Sequence, residues 1–366
     1  MTREELCSKR YEALDAFSYI GNIKSCDKYG NGHINDTYLI VTDDNRYILQ
    51  RINSVVFPRP LEVMENIKGI TKHIRDKSKE SGRDPERSTL NLVSTDSGKM
   101  YFRDSYGSYW RMYFFVERSV AKEKVNGVDD FRCCAEAFGD FQSILADYPA
   151  DTLYETIADF HNTPVRFHNL LNAINEDKAG RAASVKKEID FALDRKDFTQ
   201  ILEKARENHE IPLRVTHNDT KLNNILFDAD NGSAICVIDL DTVMPGYAVN
   251  DFGDAIRFGA NAAAEDETDL SKVKLDLDLF EAYTEGFLKG CKGRLTQNEI
   301  KLLPIGAMMM TLECGMRFLT DHLNGDVYFK IHRENHNLDR CRNQFALFAD
   351  MEKKLDQMNA IVKKYY

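Results

Sequence analysis

Two stretches decide the fold: residues 215–228, which read Val-Thr-His-Asn-Asp-Thr-Lys-Leu-Asn-Asn-Ile-Leu-Phe-Asp, and residues 234–241, which read Ala-Ile-Cys-Val-Ile-Asp-Leu-Asp. Asp219 follows a histidine by two residues, Asn224 follows Asp219 by five, and Asp239 ends an apolar run 20 residues after Asp219. Short apolar segments beside turn-forming residues predict two strand-and-turn units. Turns that carry acids and an amide in this order indicate chemistry rather than packing alone.

These side chains suit the transfer of a phosphoryl group. That reaction needs Mg²⁺ held against phosphates, a carboxylate that orients the attacking hydroxyl, and donors for the developing charge. Mg²⁺ prefers hard oxygen ligands, which Asn224 and Asp239 supply, with Asp241 as a helper. Asp219 is then free to accept the proton of the hydroxyl. Lys221, two residues further on, is placed to meet the transferring phosphate.

The first third of the chain is predicted to be an antiparallel sheet with one inserted helix. Apolar alternation between Gly- and Asp-containing turns predicts strands, and a period of 3.6 predicts the helix. Residues 75–87 are charged and contain Gly and Pro, so we expect a surface loop there. The predicted strands span residues 23–29, 35–41, 46–52, 90–94, 99–104 and 108–116, and the predicted helix spans residues 60–75.

The remainder is predicted to be mainly helical, because the apolar period changes to 3.6 after residue 119. Phe131, Cys134, Phe138, Phe141 and Leu145 make one apolar helix face. The prediction is therefore an α+β fold with a sheet-rich first part and a helical second part. Further helices are predicted near residues 151–160, 181–208, 274–290, 297–324 and 344–365.

Composition narrows the class of protein. Lys and Arg number 49 against 59 Asp and Glu, a net charge of -10, which argues against nucleic acid as a partner. No apolar run approaches the ~20 residues that a membrane span needs. Eight cysteines without a Cys-x-x-Cys pair suit a reducing compartment. The N-terminal residues lack the apolar region of a signal peptide. We expect a cytoplasmic monomer.

The pattern His-x-Asp-x-x-x-x-Asn at residues 217–224, with the strand that ends at Asp239, resembles the protein-kinase-like superfamily. It is most similar to the aminoglycoside phosphotransferase and small-molecule kinase branch. The resemblance implies a two-lobed fold that uses ATP and Mg²⁺. It assigns residues 1–118 to a nucleotide-binding N-lobe and residues 119–366 to a helical C-lobe with the catalytic and acceptor sites.

The resemblance also assigns the nucleotide site. The hairpin with Gly30, Gly32 and His33 would cover the phosphates, since glycines let backbone N–H groups approach them. A plain glycine-containing hairpin turn is the alternative. The linker at residues 115–118, with Phe115 and Glu117, would bind adenine through its backbone.

The third strand departs from the family pattern. A lysine that holds the phosphates is implied there, but the inward position is Gln50 or Arg51, depending on register. The helix glutamate that pairs with such a lysine would be Glu62 or Glu65. Without the lysine, affinity for ATP would depend more on backbone groups and the metal.

Residues 251–253 read Asp-Phe-Gly, the metal-binding motif of protein kinases. Asp251 lies 32 residues after Asp219 and opens a predicted helix, and no apolar strand precedes it. We therefore assign the metal position to Asp239. By family analogy, Asp254 would brace the catalytic loop.

Residues 29–35, 46–53, 217–224, 238–246 and 313–329 resemble the N-acetylhexosamine 1-kinases. The resemblance implies phosphorylation of the anomeric hydroxyl of N-acetylglucosamine or N-acetylgalactosamine. Arg317 lies in the apolar run 312–319, where a charge is costly unless it is paired. It would donate to the sugar or form a structural ion pair. His33 would touch the phosphate or the sugar, or remain an exposed turn residue.

Two kinds of alternative remain. A kinase for another hydroxyl acceptor, such as homoserine, choline or an aminoglycoside, has the same core chemistry, although Arg317 in the pocket would disfavour a cation. A non-catalytic nucleotide-binding pseudokinase is favoured by the missing lysine. Asp219, Asn224 and Asp239 argue against that second alternative.

Overall fold

Alternating apolar residues build the sheet of the first third, as a computed structural model of the chain shows. The structure describes residues 10–17, 20–30, 32, 34–122 and 127–366. The antiparallel strand order is β1-β2-β3-β6-β4, and β5 pairs with β6. The strands are β1 (Ile23–Lys28), β2 (Asp36–Thr42), β3 (Arg46–Ile52), β4 (Leu92–Val93), β5 (Phe102–Arg103) and β6 (Tyr109–Phe114).

The two faces of this sheet differ in chemistry, because side chains alternate along a strand. One face carries Leu49, Trp110 and Met112 into an apolar core, which residues of the helical segment 10–15 join. The opposite face carries Gln50 and Arg111. A polar face inside a folded sheet is the first structural sign of a site.

The inserted helix α1 (Pro60–Glu80) begins with a proline, whose fixed φ suits a first helical position. Val63, Met64, Ile67 and Ile70 are buried along it. The predicted helix is confirmed but extends to Glu80, so the expected loop from residue 75 was wrong over its first part. Lys77 and Lys79 in the last turn favour this extension through the helix dipole.

The short strands around residues 213–246 agree with the predicted strand-and-turn units. They are β8 (Arg214–Thr216), β9 (Ile225–Asp228), β10 (Ala234–Val237) and β11 (Met244–Gly246), and β9 lies between β10 and β7 (Ser119–Ala121).

The helical region contains α2 to α10. One prediction here was wrong: residues 151–160 contain no α-helix, and a helix starts just after them. Asn162 caps that helix by accepting from the backbone N–H of Val165, with Pro164 in its first turn. The predicted helix at 181–208 is split in two. The helices are α2 (Val128–Ile144), α3 (Thr163–Glu176), α4 (Lys186–Leu193), α5 (Ile201–Glu207), α6 (Ala248–Gly259), α7 (Leu277–Cys291), α8 (Gln297–Lys301), α9 (Leu303–Leu323) and α10 (His336–Lys363).

The chain divides into two units. The first contains residues 1–120, 152–157 and 226–244, and the second contains residues 121–151, 158–225 and 245–366. The first unit thus includes later segments that a single boundary after residue 118 does not assign to it. None of the helices in the described ranges is long and apolar enough to cross a membrane.

Helices α2 and α7 pack closely through glycines. A Cβ on Gly139 would collide with the backbone carbonyl of Phe287 and approach Gly290. We expect Gly139→Ala to destabilise the protein by about 1–3 kcal/mol, although alanine favours helices over glycine. Thermal unfolding measures this, with Cys133→Ala as the exposed control on the same helix. An unchanged or raised Tm in Gly139→Ala would contradict the close packing.

Candidate active site

Asp219 lies in the loop between β8 and the 3-10 turn Leu222–Asn224. Its Oδ1 is 2.6 Å from Nζ of Lys221, and its Oδ2 accepts a hydrogen bond of 3.0 Å from Nδ2 of Asn224. About a quarter of the Asp219 side chain is exposed. The predicted base is therefore oriented by two neighbours and accessible to a substrate.

The amide of Asn224 has a defined orientation. Its Nδ2 donates to the backbone oxygen of Asp219 at 2.8 Å as well as to the carboxylate. No residue within the described ranges donates to its Oδ1. The oxygen that would bind a metal is thus left available.

Lys221 is held as a cation. Burial acts to lower its pKa, but the carboxylates of Asp219 and Asp254 outweigh burial and raise the pKa above the usual lysine value. Lys221 therefore remains protonated at neutral pH beside Asp219, where developing phosphate charge would need a donor.

Asp251 braces the loop that carries Asp219. Its buried carboxylate accepts from the backbone N–H groups of His217 at 2.9 Å and Asn218 at 2.7 Å, and from Nε2 of Gln142 at 2.8 Å. Its backbone oxygen accepts from Oγ1 of Thr220 at 2.6 Å. Both carboxylate oxygens of Asp251 are thus occupied by protein donors.

Among the described residues, Asp254 forms no hydrogen bond to the loop, although its carboxylate helps to raise the pKa of Lys221 there. Asp254 pairs instead with Arg257, with Nη2 and Oδ1 2.9 Å apart, on its own helix α6. Burial acts to raise the pKa of Asp254, but Arg257 and Lys221 outweigh it and lower the pKa. The hydrogen bonds that brace the loop come from Asp251, three residues earlier on the same helix.

The rest of the Asp-Phe-Gly stretch serves packing. Phe252 is fully buried and meets the ring of Phe280 edge-on at 5.8 Å. A Cβ on Gly253 would collide with the backbone of Gly306, so α6 and α9 require a glycine at their crossing. Each of the three residues thus has a structural reason unrelated to metal binding.

Asp239 follows β10 in a left-handed conformation, with φ of 58° and ψ of 59°. This conformation is uncommon for a residue with a side chain, and such residues concentrate at functional sites. A 3-10 turn, Leu240–Thr242, begins directly after it. The residue that the sequence predicts to bind the metal, Asp239, thus has an unusual backbone conformation.

Asp241 is buried, and both of its oxygens have protein donors. Nη1 of Arg111 pairs with Oδ1, and Nδ2 of Asn35 donates to Oδ2 at 2.6 Å. Sequence reasoning missed Arg111 and Asn35, although a charge inside the apolar run 109–116 was a usable signal. The carboxylate is neutralised without a metal.

The register of β3 directs Gln50 toward Arg111. Oε1 of Gln50 accepts from Nε of Arg111 at 3.0 Å and from Nη2 at 2.9 Å. Arg51 points to the other face and pairs with Asp36. Of the two residues expected at the lysine position, Gln50 is therefore the inward one.

Neither candidate helix glutamate occupies the role of the lysine partner. Glu62 pairs with Arg59 at 3.0 Å, and Glu65 is exposed. Their neighbour Asn66 was missed: it is buried and donates to the backbone oxygens of Tyr154 at 2.8 Å and Val243 at 2.9 Å. Asn66 could have been identified from the sequence, because it is a polar residue on the apolar face of the predicted helix.

The linker offers free backbone groups. The N–H of Phe115 donates to the backbone oxygen of Arg46 at 3.0 Å, and the Glu117 side chain pairs with Arg46. The carbonyl of Phe115 and the N–H of Glu117 have no hydrogen-bond partner in the described part of the chain. One backbone acceptor and one backbone donor are thus available to a nucleotide base such as adenine.

The hairpin glycines are open to approach. Gly30 has φ of 74°, a conformation that favours glycine. A Cβ added to Gly30 or to Gly32 would meet no heavy atom within 4 Å. His33 lies outside the described residues.

Arg317 on α9 is surrounded by aromatic rings. Its guanidinium lies 5.2 Å from the ring centre of Phe160, 5.6 Å from Phe329 and 6.0 Å from Tyr328. No acid among the residues described here forms an ion pair with it. The expected alternative of a structural ion pair thus has no partner at ion-pair distance in the described chain, although the buried carboxylate of Glu313 interacts electrostatically with Arg317.

A buried polar group one helical turn before Arg317 was missed by the sequence reasoning. Glu313 accepts from Oγ1 of Thr163 at 2.6 Å and contacts Nδ1 of His161 at 2.8 Å. Nε2 of His161 is 3.4 Å from the backbone oxygen of Asn218, next to Asp219. Burial acts to raise the pKa of Glu313, but His161, Arg317 and Thr163 together outweigh it and the pKa is lowered. His161 thus connects α9 to the Asp219 loop.

Each of two predicted ligands is of a type that suits Mg²⁺ bound together with phosphates. No cluster of three or more His, Cys, Asp and Glu able to hold a metal occurs in the part of the chain that is described. Mg²⁺ bound with a nucleotide needs only one or two protein oxygens beside phosphate and water. The free Oδ1 of Asn224 and the carboxylate of Asp239 are ligands of that kind.

Comparison with known proteins agrees with this fold. A microcompartment-associated aminopropanol kinase is 16% identical, with a TM-score of 0.64 over 96% of this chain and 98% of that one. An aminoglycoside phosphotransferase from Alicyclobacillus acidocaldarius is 12% identical, with a TM-score of 0.60 over 97% and 95%. Choline kinase LicA from Streptococcus pneumoniae is 12% identical, with a TM-score of 0.54 over 97% and 100%. The predicted α+β, protein-kinase-like fold is confirmed.

The sequence itself gives the family. A model described as the phosphotransferase enzyme family matches residues 25–284, well over half of the chain. The chain belongs to the phosphotransferase enzyme family.

Proposed function

We propose that this chain is a small-molecule kinase that uses ATP and Mg²⁺ to phosphorylate the anomeric hydroxyl of N-acetylglucosamine or N-acetylgalactosamine. The observation that carries the proposal is the loop geometry. Asp219 is oriented by Lys221 and Asn224, while the amide oxygen of Asn224 is left available. This arrangement suits proton acceptance beside a bound phosphate.

Each loop residue has a separate task in this proposal. Asp219 accepts the proton of the acceptor hydroxyl, and Lys221 stabilises charge on the transferring group. Asn224 and Asp239 would hold Mg²⁺, which neutralises charge on the phosphate oxygens when bound. Asp241 keeps its partners Arg111 and Asn35, so we now give it a positioning role instead of a ligand role.

The nucleotide would bind the first unit. Open backbone at Gly30 and Gly32 suits phosphate oxygens. The free carbonyl of Phe115 and the free N–H of Glu117 match the donor and acceptor on one edge of adenine. ADP also appears in the name of a solved spectinomycin phosphotransferase complex with the same fold.

The surroundings of Arg317 favour a neutral acceptor. The guanidinium has donors that no described acid occupies, and a sugar hydroxyl or acetamido oxygen would accept from them. Arg166 lies near Arg317. Burial lowers the pKa of Arg166, and the positive charge of Arg317 lowers it further. Two adjacent guanidinium groups disfavour a cationic acceptor such as choline or an aminoglycoside, which are named in relatives of similar fold.

A screen for ADP release tests the proposal. Mg-ATP is combined in turn with N-acetylhexosamines, hexoses, homoserine, choline and aminoglycosides. Turnover with N-acetylhexosamines that gives an acid-labile 1-phosphate supports the proposal. A strong preference for a cationic acceptor would refute the sugar assignment. Nucleotide binding without turnover on any acceptor would favour the pseudokinase alternative.

Arg317→Met is expected to raise KM for the N-acetylhexosamine by about 10-fold or more and leave KM for ATP unchanged. Loss of hydrogen bonds from a charged donor costs about 1.5–3 kcal/mol, and 1.4 kcal/mol is tenfold in affinity. Arg317→Lys keeps the charge but loses the planar fork, so KM should also rise. Steady-state kinetics with each substrate varied measures both effects. An unchanged acceptor KM in both variants would exclude Arg317 from the acceptor site.

A further inference from the structure

The position on β3 where a lysine was expected has an arginine directly opposite it. Gln50 faces Arg111 in the antiparallel register of β3 and β6. Nε2 of Gln50 donates to Oγ1 of Thr37 at 3.0 Å, which orients the amide so that its oxygen accepts from Nε and Nη2 of Arg111. A neutral side chain at the expected lysine position thus holds a cation from the neighbouring strand.

The other end of the guanidinium holds the turn that follows Asp239. Nη1 of Arg111 pairs with Asp241, whose second oxygen accepts from Asn35 at 2.6 Å. Oδ1 of Asn35 in turn accepts from the backbone N–H of Asn53 at 3.0 Å. One hydrogen-bonded network therefore joins the end of the glycine hairpin, β3, β6 and the Asp239 turn.

Stability alone does not explain this ion pair. Arg111 and Asp241 are each 1% exposed. A buried ion pair recovers little more than its own desolvation, and well-packed apolar residues in its place are often as stable. What an arginine adds is a planar fork of donors with fixed directions, which specifies geometry.

Tyr113 provides an independent sign that this face receives a polar ligand. It lies two residues after Arg111 on the same face, and the guanidinium is 5.3 Å from the centre of its ring. Its hydroxyl is buried, and within the described chain it has no hydrogen-bond partner. Such a group costs about 1–3 kcal/mol unless water or a ligand completes it.

We propose that Arg111 is a positioning residue that takes the place of the strand lysine. Held by Gln50, it fixes Asp241 and thereby the backbone turn that presents Asp239 to the nucleotide-bound Mg²⁺. The proposal rests on the proposed function only in requiring that Mg-nucleotide binds this unit.

The test compares Arg111→Gln, Asp241→Asn, the double variant and Arg111→Lys. The double variant removes both charges, so neither remains buried without its counter-ion. Arg51→Gln is the matched control, because it breaks an arginine–aspartate pair on the neighbouring strand β3, on the opposite face of the sheet. Calorimetric binding of Mg-ADP is the main readout, since it does not depend on the acceptor. Thermal unfolding and KM for each substrate accompany it.

We expect the folded double variant to bind Mg-ADP about 10- to 100-fold more weakly, the range seen when residues that orient metal ligands are removed. The affinity of Arg111→Lys for Mg-ADP should lie between that of the double variant and that of wild type, while Arg51→Gln should bind Mg-ADP normally. The KM for the acceptor should be unchanged in all of these variants. Wild-type affinity in the folded double variant would overturn the proposal. If the double variant does not fold, Arg111→Lys decides, and full affinity for Mg-ADP in that variant overturns the proposal.

A wild-type chain that binds Mg-ADP but phosphorylates no acceptor refutes the acceptor assignment alone. A wild-type chain that binds no nucleotide overturns both proposals.

Discussion

Asp219→Asn is expected to lower kcat by about 100-fold or more, on the scale of losing a general base. Asparagine keeps an oxygen that can accept from Asn224 but cannot take the proton of the acceptor hydroxyl. The side chain is partly exposed, so the fold should survive the change. Initial rates at saturating ATP and acceptor measure the effect.

The control for this variant is Asp278→Asn, an exposed acid in the first turn of α7. It should retain wild-type turnover, and Mg-ADP binding should persist in both variants. Near-normal turnover in Asp219→Asn would refute the assignment of the base. A loss of nucleotide binding together with kcat would mean that Asp219 acts in binding instead.

Asp239→Asn is expected to lose activity but keep its stability, whereas Asp251→Asn is expected to lose stability. Asp239→Asn should lower Mg²⁺-dependent activity by about 100-fold or more with little change in Tm, because a poorly held metal ion loses several kcal/mol of charge stabilisation. In Asp251→Asn, the new amide N–H₂ replaces one carboxylate oxygen, so it faces either the donor of Asn218 or those of His217 and Gln142. Unsatisfied buried groups of this kind cost about 1–3 kcal/mol each, so Tm should fall.

Titration of activity with Mg²⁺ separates the two variants. Asp239→Asn should require a higher Mg²⁺ concentration, whereas the folded fraction of Asp251→Asn should keep the wild-type requirement. If Asp251→Asn alone changed the Mg²⁺ requirement, the metal would have been assigned to the wrong turn.

Local patterns predicted the elements that depend on local forces. The strands β2 and β3 alternate clearly in sequence, and the apolar period of α1 is regular, so burial of one face determines both. Asp219, Asn224 and Asp239 were predicted because their spacing along two short strands is unusual. The start of α3 was missed although its cap, Asn162 followed by Thr and Pro, is a recognisable start signal.

Partners that are distant in sequence could not be predicted in this way. The bond that Asp251 accepts from the backbone of His217 depends on how α6 meets the loop. Arg111 could have been suspected, because it interrupts an apolar run as Arg317 does. Its pairing with Asp241 spans 130 residues, and no local pattern contains that information.

The membership of residues 226–244 in the first unit has a consequence for the order of folding. During synthesis, Arg111 emerges long before Asp241. Until Asp241 has been made, the guanidinium of Arg111, which is buried in the folded sheet, lacks its counter-ion. A fragment that stops after residue 120 would contain every strand of the large sheet but would have to bury an uncompensated charge. We therefore expect the sheet to complete its packing only after residue 244 has been made, as a late step of folding in this chain.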